Sequence, residues 1–170
     1  KQIEDKEIKI ITSNVIYTLI DNFDEWHEKV KAEEEAKLMQ NLVKPCKVKI
    51  LTGYVFRQSN PAVCGVEILA GTLKSGTPLM KEDKPITESK EIQKDGKKID
   101  EAKRGDQIAL SMSNITLGRQ VKEEEILYSA ISEDQFKRYK LVKHLITEEE
   151  IEILKEIAEL KRKSNPSWGM

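Results

Sequence analysis

Apolar and polar positions alternate through Ile8, Ile10 and Ile11, a β-branched run that predicts a short strand within residues 1–13. A lone strand leaves its backbone groups unpaired, so it is expected to be the remnant strand of a preceding domain, with the chain a C-terminal fragment. From the capping pair Ser13 and Asn14 the period lengthens to three or four, and Val15, Leu19, Phe23, Trp26 and Val30 form one stripe. The stripe fades through the helix formers Glu33, Glu34, Glu35, Ala36 and Lys37, and Pro45 ends the run. A long connecting helix is predicted over 14–43, roughly 40 Å in length if unbroken. Two readings of it stay open: a surface helix with a polar end, or a lever between two domains that amplifies a small rotation.

After Pro45 the period drops to two. Short runs at 46–51, 54–56, 63–69, 77–80, 86–93, 97–99, 107–112 and 126–131 are punctuated by glycines at 53, 65, 71, 76 and 105 and by the turn Asp95-Gly96. Strands of this length and spacing predict a closed antiparallel β-barrel over 44–131. Helical spacing returns over 132–170, with two explicit starts. Ser132 precedes Gln135 by three residues and Thr147 precedes Glu150 by three, the capping-box spacing in both cases. Helices are predicted over 133–144 and 148–162, followed by a loose tail at Trp168, Gly169 and Met170. The predicted fold class is therefore α+β: a long helix, a closed barrel and two terminal helices.

Charge refines this picture without giving the chain a strong overall sign, because 29 Lys and Arg face 30 Asp and Glu. Residues 1–43 carry 6 basic and 10 acidic side chains, whereas 44–131 carry 15 and 12. A wholly basic nucleic-acid-binding surface is excluded. The basic group Lys94, Lys97, Lys98, Lys103 and Arg104 surrounds a predicted hairpin and its return. It reads either as solvated hairpin charge or as a patch that contacts phosphates. Residues 132–146 carry a local +2 and 147–170 a local −2. Apolar positions Phe136, Tyr139, Leu141 and Leu145 face Ile151, Leu154, Ile157 and Leu160, either as a groove for a partner segment or as plain packing on the barrel. The surplus of Lys and Glu over aromatics suits an ion-pair-rich surface.

Candidate catalytic chemistry is sparse. The run from Gly71 to Pro78 has two glycines at P-loop separation, but Thr77 and Pro78 stand where the lysine must follow. His27 and His144 have no second ligand at metal spacing, and no metal site is expected. No local nucleophile–base pairing occurs, so no catalytic residue is expected and the chain is read as a non-enzyme. Cys46 and Cys64 are expected to remain unbridged. No apolar run approaches the ~18 residues of a membrane span, which predicts a cytoplasmic chain with no membrane partner.

The run from Val63 to Thr77, with Gly65, Gly71, Lys74 and Gly76 in a Gly-x-x-Lys-x-Gly rhythm, resembles the second-domain barrel of translational GTPases such as elongation factor Tu. The stretch from Ile92 to Leu110, through Asp95-Gly96 and Arg104-Gly105-Asp106, resembles the same barrel's second signature. Asn14-Val15-Ile16-Tyr17-Thr18-Leu19-Ile20-Asp21 opening a long helix, together with two helices after the barrel, resembles the archaeal and eukaryotic initiation factor 5B family, the counterpart of bacterial initiation factor 2. The resemblance implies positioning of initiator methionyl-tRNA and ribosomal subunit joining, with GTP and magnesium held by an upstream G domain and no cofactor in this chain. It implies a barrel surface for the aminoacylated CCA end, with Gly65, Val66, Lys94, Lys97, Lys98, Gln107 and Ile108 as candidates. In the bacterial counterpart a cysteine follows the barrel glycine; here Val66 follows Gly65 and Cys64 precedes it. The terminal helices would receive the tail of initiation factor 1A through Phe136, Lys137, Arg138, Lys140, Leu141, Ile151, Leu154 and Ile157. The rival reading is a pure protein-interaction module that docks another initiation factor without touching tRNA.

Overall fold

The computed structural model describes residue 12 and residues 15–170. The strand expected around Ile8 to Ile11 and the capping pair Ser13 and Asn14 lie outside the described residues. Residues up to Asn41 and those from Leu42 onward form two separate compact units.

The first unit contains one unbroken helix, α1 (Ile16–Gln40). Its cap position is held by Val15, which makes no side-chain cap. Absence of Gly and Pro between residues 16 and 40 lets the backbone ladder run through the polar second half. Phe23 packs on Trp26 and His27, with ring centroids 5.9 and 6.1 Å apart, so part of the apolar stripe is satisfied locally.

In the second unit the chain forms eight strands: β1 (Cys46–Arg57), β2 (Ala62–Lys74), β3 (Pro78–Lys81), β4 (Lys84–Lys94), β5 (Lys97–Ile99), β6 (Glu101–Lys103), β7 (Gln107–Met112) and β8 (Ile126–Ser129). Six of them close a barrel in the order β1-β8-β3-β4-β7-β2, and β2 returns to β1. The two remaining strands are short rim pieces, β5 on β4 and β6 on β2. Period two explains the interior: Cys46, Val48 and Ile50 alternate with Lys47 and Lys49, and Cys64, Val66, Ile68, Ile108, Leu110, Met112 and Leu127 are among the residues that join them in the core. Buried Ser89 accepts from the Thr77 amide at 2.8 Å and donates to the Lys74 carbonyl at 2.7 Å. Ser129 likewise accepts from the Cys46 amide at 3.1 Å. Both cysteines are free, and burial pushes both thiols up to about 12.

The terminal helices are α2 (Glu133–Leu141) and α3 (Glu148–Ser164), each opened by a complete capping box. The first is shorter than the sequence pattern predicts, because residues 143–145 tighten into a 3-10 turn before Thr147 starts α3. Helix α3 lies on β1 and β2 and buries Ile153, Ile157 and Ala158. Fully burying an isoleucine stabilises by about 1.5–3 kcal/mol, which makes this apolar face the main docking contribution. A polar contact fixes its register: Glu156 accepts from Lys47 Nζ at 2.7 Å and from Tyr128 Oη at 2.6 Å. The expected loose tail is instead folded back. Trp168 is 7% exposed and packs on Phe136 at 4.8 Å between centroids, while Arg162 Nε donates to the Trp168 carbonyl and Lys140 Nζ to that of Gly169.

Burial pushes the Glu156 carboxyl up, but the hydrogen bonds from Lys47 and Tyr128 and the Lys47 charge outweigh it and hold the group below its ordinary 4.5. A depressed carboxylate stabilises the fold above its unfolded value and loses that contribution as pH falls through the folded value. Glu156→Gln should therefore unfold at lower urea than the parent at pH 7, and the two midpoints should converge as pH drops below 4.5. A gap that is constant with pH would contradict the ion-pair account.

Candidate nucleic-acid interface

A cleft lies across the neighbouring strands β1, β2, β7 and β4, and a mismatch between two of them builds it. Ile50 of β1 pairs with Val66 and Val55 pairs with Cys64, so residues 51–54 all stand opposite Gly65 alone. The excess chain must bulge outward. Gly53, at φ +78°, supplies the left-handed turn, and the bulge is pinned by Thr52 Oγ1 donating to Glu124 at 2.7 Å and the Gly53 amide donating to Glu123 at 3.3 Å. Gly65 is required beneath it, because a Cβ there would lie 2.7 Å from the Tyr54 Cβ.

The resulting cleft has a volume of ≈ 310 Å³. Leu51, Gly65, Ile108 and Ala109 contribute its apolar lining. Tyr54 and Phe56 border one side, and Gln93, Asp95, Gly96 and Gln107 the other. Asp95 and Gly96, at φ +52° and +74°, form the two-residue turn between β4 and β5, and the exposed Lys97 and Lys98 follow it in β5, outside the cleft lining.

Of the residues expected at a tRNA-end surface, Gly65, Gln107 and Ile108 meet in this cleft. Val66 does not: it is 0% exposed in the core, and its cross-strand partner Ile108, though part of the cleft lining, is only 4% exposed and belongs to the same core. Lys94 is not a free cation either, because its Nζ lies 2.6 Å from Asp106 Oδ1. The Asp106 hydrogen bond and charge push the Lys94 ammonium up, and the Lys94 contact together with the Lys103 amide holds Asp106 down. Lys97 and Lys98 stay exposed, with no carboxylate paired to them among the described residues. Tyr54 and Phe56, which the sequence pattern marks only as the bounds of a short strand run at 54–56, are 57% and 65% exposed here.

A second recess, ≈ 180 Å³, lies between α2 and α3. Phe136, Tyr139, Ile146, Ile151 and Leu154 line it, and Lys140, Lys143 and Lys155 surround it. The expected set is only partly gathered there. Phe136, Lys140, Ile151 and Leu154 belong to it, whereas Ile157 is buried at 0% toward the barrel and Leu141 is 72% exposed away from the recess. Lys137 is paired with Glu133 at 2.9 Å, and Arg138 lies outside the lining. Among the described residues no cluster suited to a metal ion occurs, and no helix is long and apolar enough to cross a membrane.

Residues 44–128 match the family described as elongation factor Tu domain 4, which makes the barrel a translation-factor domain of that class. Over its whole length the chain is 40% identical to the probable translation initiation factor IF-2 of Ignicoccus hospitalis, and over 81% of its length 47% identical to that of Methanopyrus kandleri. The GDP-bound aIF5B of Aeropyrum pernix superimposes on 92% of the chain with a TM-score of 0.74 and 34% identity. The chain belongs to the IF-2/aIF5B family of translation initiation factors. It spans 29% and 23% of the two relatives and 27% of the solved structure.

Gly65→Ala should cost about 1–3 kcal/mol, as overpacking does, because the new methyl group meets the Tyr54 Cβ rather than a flexible side-chain end. Urea unfolding measures it. A neutral substitution would show that the bulge does not depend on the missing Cβ.

Proposed function

We propose that this part of the initiation factor holds the aminoacylated CCA end of initiator methionyl-tRNA on the ribosome, in a parent protein whose upstream domain binds GTP and magnesium and which promotes subunit joining. The chain itself acts by binding and contributes no catalytic group. The observation that carries this reading is a partly apolar cleft bordered by the Asp95-Gly96 turn of a hairpin in which the exposed Lys98 pairs with Gln93 of the lining and the exposed Lys97 stands next to it. An amino acid esterified to a nucleic acid needs both: apolar walls that exclude water from the ester, and cations for the adjoining phosphates. The family relationship supports a ribosomal setting in general. Filter binding of methionyl-tRNA to the 170-residue chain at graded salt tests it. Changing Lys97 and Lys98 together to alanine should flatten the slope of log affinity against log salt by about 0.7–0.9 per lost cation. Unchanged slope and affinity would remove the hairpin from the interface.

The recess between α2 and α3 favours a second activity, reception of an acidic, apolar protein tail such as that of initiation factor 1A. Its apolar lining supplies anchors, while three lysines around it supply complementary charge. Titration of the chain with that factor, with and without its last residues, should shift the amides of residues 136–155 only when the tail is present. Shifts confined to the barrel would exclude the recess as the docking site.

A further inference from the structure

Two exposed aromatic rings beside the cleft are not explained by water exclusion or phosphate contact. The chain has only 5% aromatic residues, yet Tyr54 and Phe56 hold more than half of their surface in solvent. The third barrel aromatic, Tyr128, is engaged with Glu156 and Lys47. Among the described residues neither Tyr54 nor Phe56 is paired with another ring or lies under a cation. Both border the same cleft and stand two residues apart on β1, roughly 7 Å along an extended chain. Rings left bare beside a concave surface match what unpaired bases require, because every base offers a π-face.

A polar group completes the arrangement. Gln107 is exposed on the other side of the cleft, and neither its amide donor nor its acceptor is engaged among the described residues. A free carboxamide presents N–H and C=O side by side, the complement of the N7 acceptor and N6 amino donor of adenine. Gln93, the other amide at the cleft, donates its N–H to Glu91 at 2.8 Å.

We infer that Tyr54 and Phe56 form a stacking subsite for one unpaired nucleobase at the end of a single-stranded RNA, and that Gln107 selects adenine there. The inference rests on the acceptor-end reading and deepens it by assigning the base contacts. Gly65 is a positioning residue for it, since the missing Cβ lets the Tyr54 side chain cross the neighbouring strand.

Four RNA trinucleotides that differ only in the 3′ base, titrated into the whole chain by NMR or calorimetry, test this. The adenine-ended one should bind tightest. Tyr54→Ala and Phe56→Ala should each weaken binding of all four by about 5- to 100-fold, the range of one base–aromatic stack. Tyr54→Phe should retain the parent affinity, and Gln107→Ala should level the four affinities without abolishing them. Both rings are exposed, and an unchanged thermal midpoint of each variant confirms that it folds. Parent-like binding by Tyr54→Ala and Phe56→Ala, or no trinucleotide binding at all, overturns the stacking subsite. An adenine preference that survives Gln107→Ala overturns the assignment of selectivity. If methionyl-tRNA binds the parent and Tyr54→Ala equally, stacking fails while the acceptor-end reading stands; if methionyl-tRNA does not bind the parent, both fail.

Discussion

The steric relation between Gly65 and the three-residue excess of β1 shapes the cleft-bearing wall of this barrel. A regular antiparallel pair would match residues one to one and leave a smooth closed wall. Here residues 51–54 oppose a single position, and the only side chain that leaves room for them is a hydrogen atom. The consequence propagates in two directions. Outward, Tyr54 and Phe56 are raised beside a cleft whose apolar lining includes Leu51, Ile108 and Ala109. On the flank, the bulge is gripped by Glu123 and Glu124, while the Ile50 amide and carbonyl bond to Glu125 and Glu124 of the loop leading into β8. One missing methyl group thus couples barrel closure to the shape of the cleft.

Electrostatics divides the lysines of the barrel into structural and available sets. Lys94 is committed to Asp106, which also accepts from the Lys103 amide, and the pair ties the β4–β5 hairpin to the turn that returns into β7. Lys47 is committed to Glu156 and sits over the Tyr128 ring, tying α3 to β1 and β8. Lys97 and Lys98 follow a tight turn whose geometry needs no side-chain support from them, so their charge is free for a ligand. The exposed Lys94–Asp106 pair adds little to stability by itself. The value of both pairs here is that they fix which cations remain unengaged.

Features encoded within a few residues were legible in the sequence. The two capping boxes, at Ser132 and Thr147, and the Asp95-Gly96 turn depend on local geometry alone, and all three form. The helical run through Glu33 to Lys37 follows from propensity in the same way. Features that depend on distant partners were hidden. Val66 was placed at the surface because one position along a strand decides which face a side chain takes, and register is set by pairing. Glu101 to Lys103 carries too little apolar pattern to announce a strand, yet pairs with β2 at the rim. Trp168 resembled a tail residue because its partner, Phe136, lies far away in sequence, on α2. The role of Tyr54 could have been suspected from the glycines at 53 and 65, which signal a bulge and a close approach respectively.

The central claim is that the bulge-built cleft is where an aminoacylated nucleic-acid end is bound. The most direct measurement is amide shift mapping of the chain with an acceptor-stem minihelix carrying amide-linked methionine at its 3′ end. The account predicts shifts at residues 51–56, Gly65, 93–96 and 107–109, larger than those produced by the uncharged minihelix. Shifts confined to the recess between α2 and α3, with the cleft resonances unmoved, would contradict it.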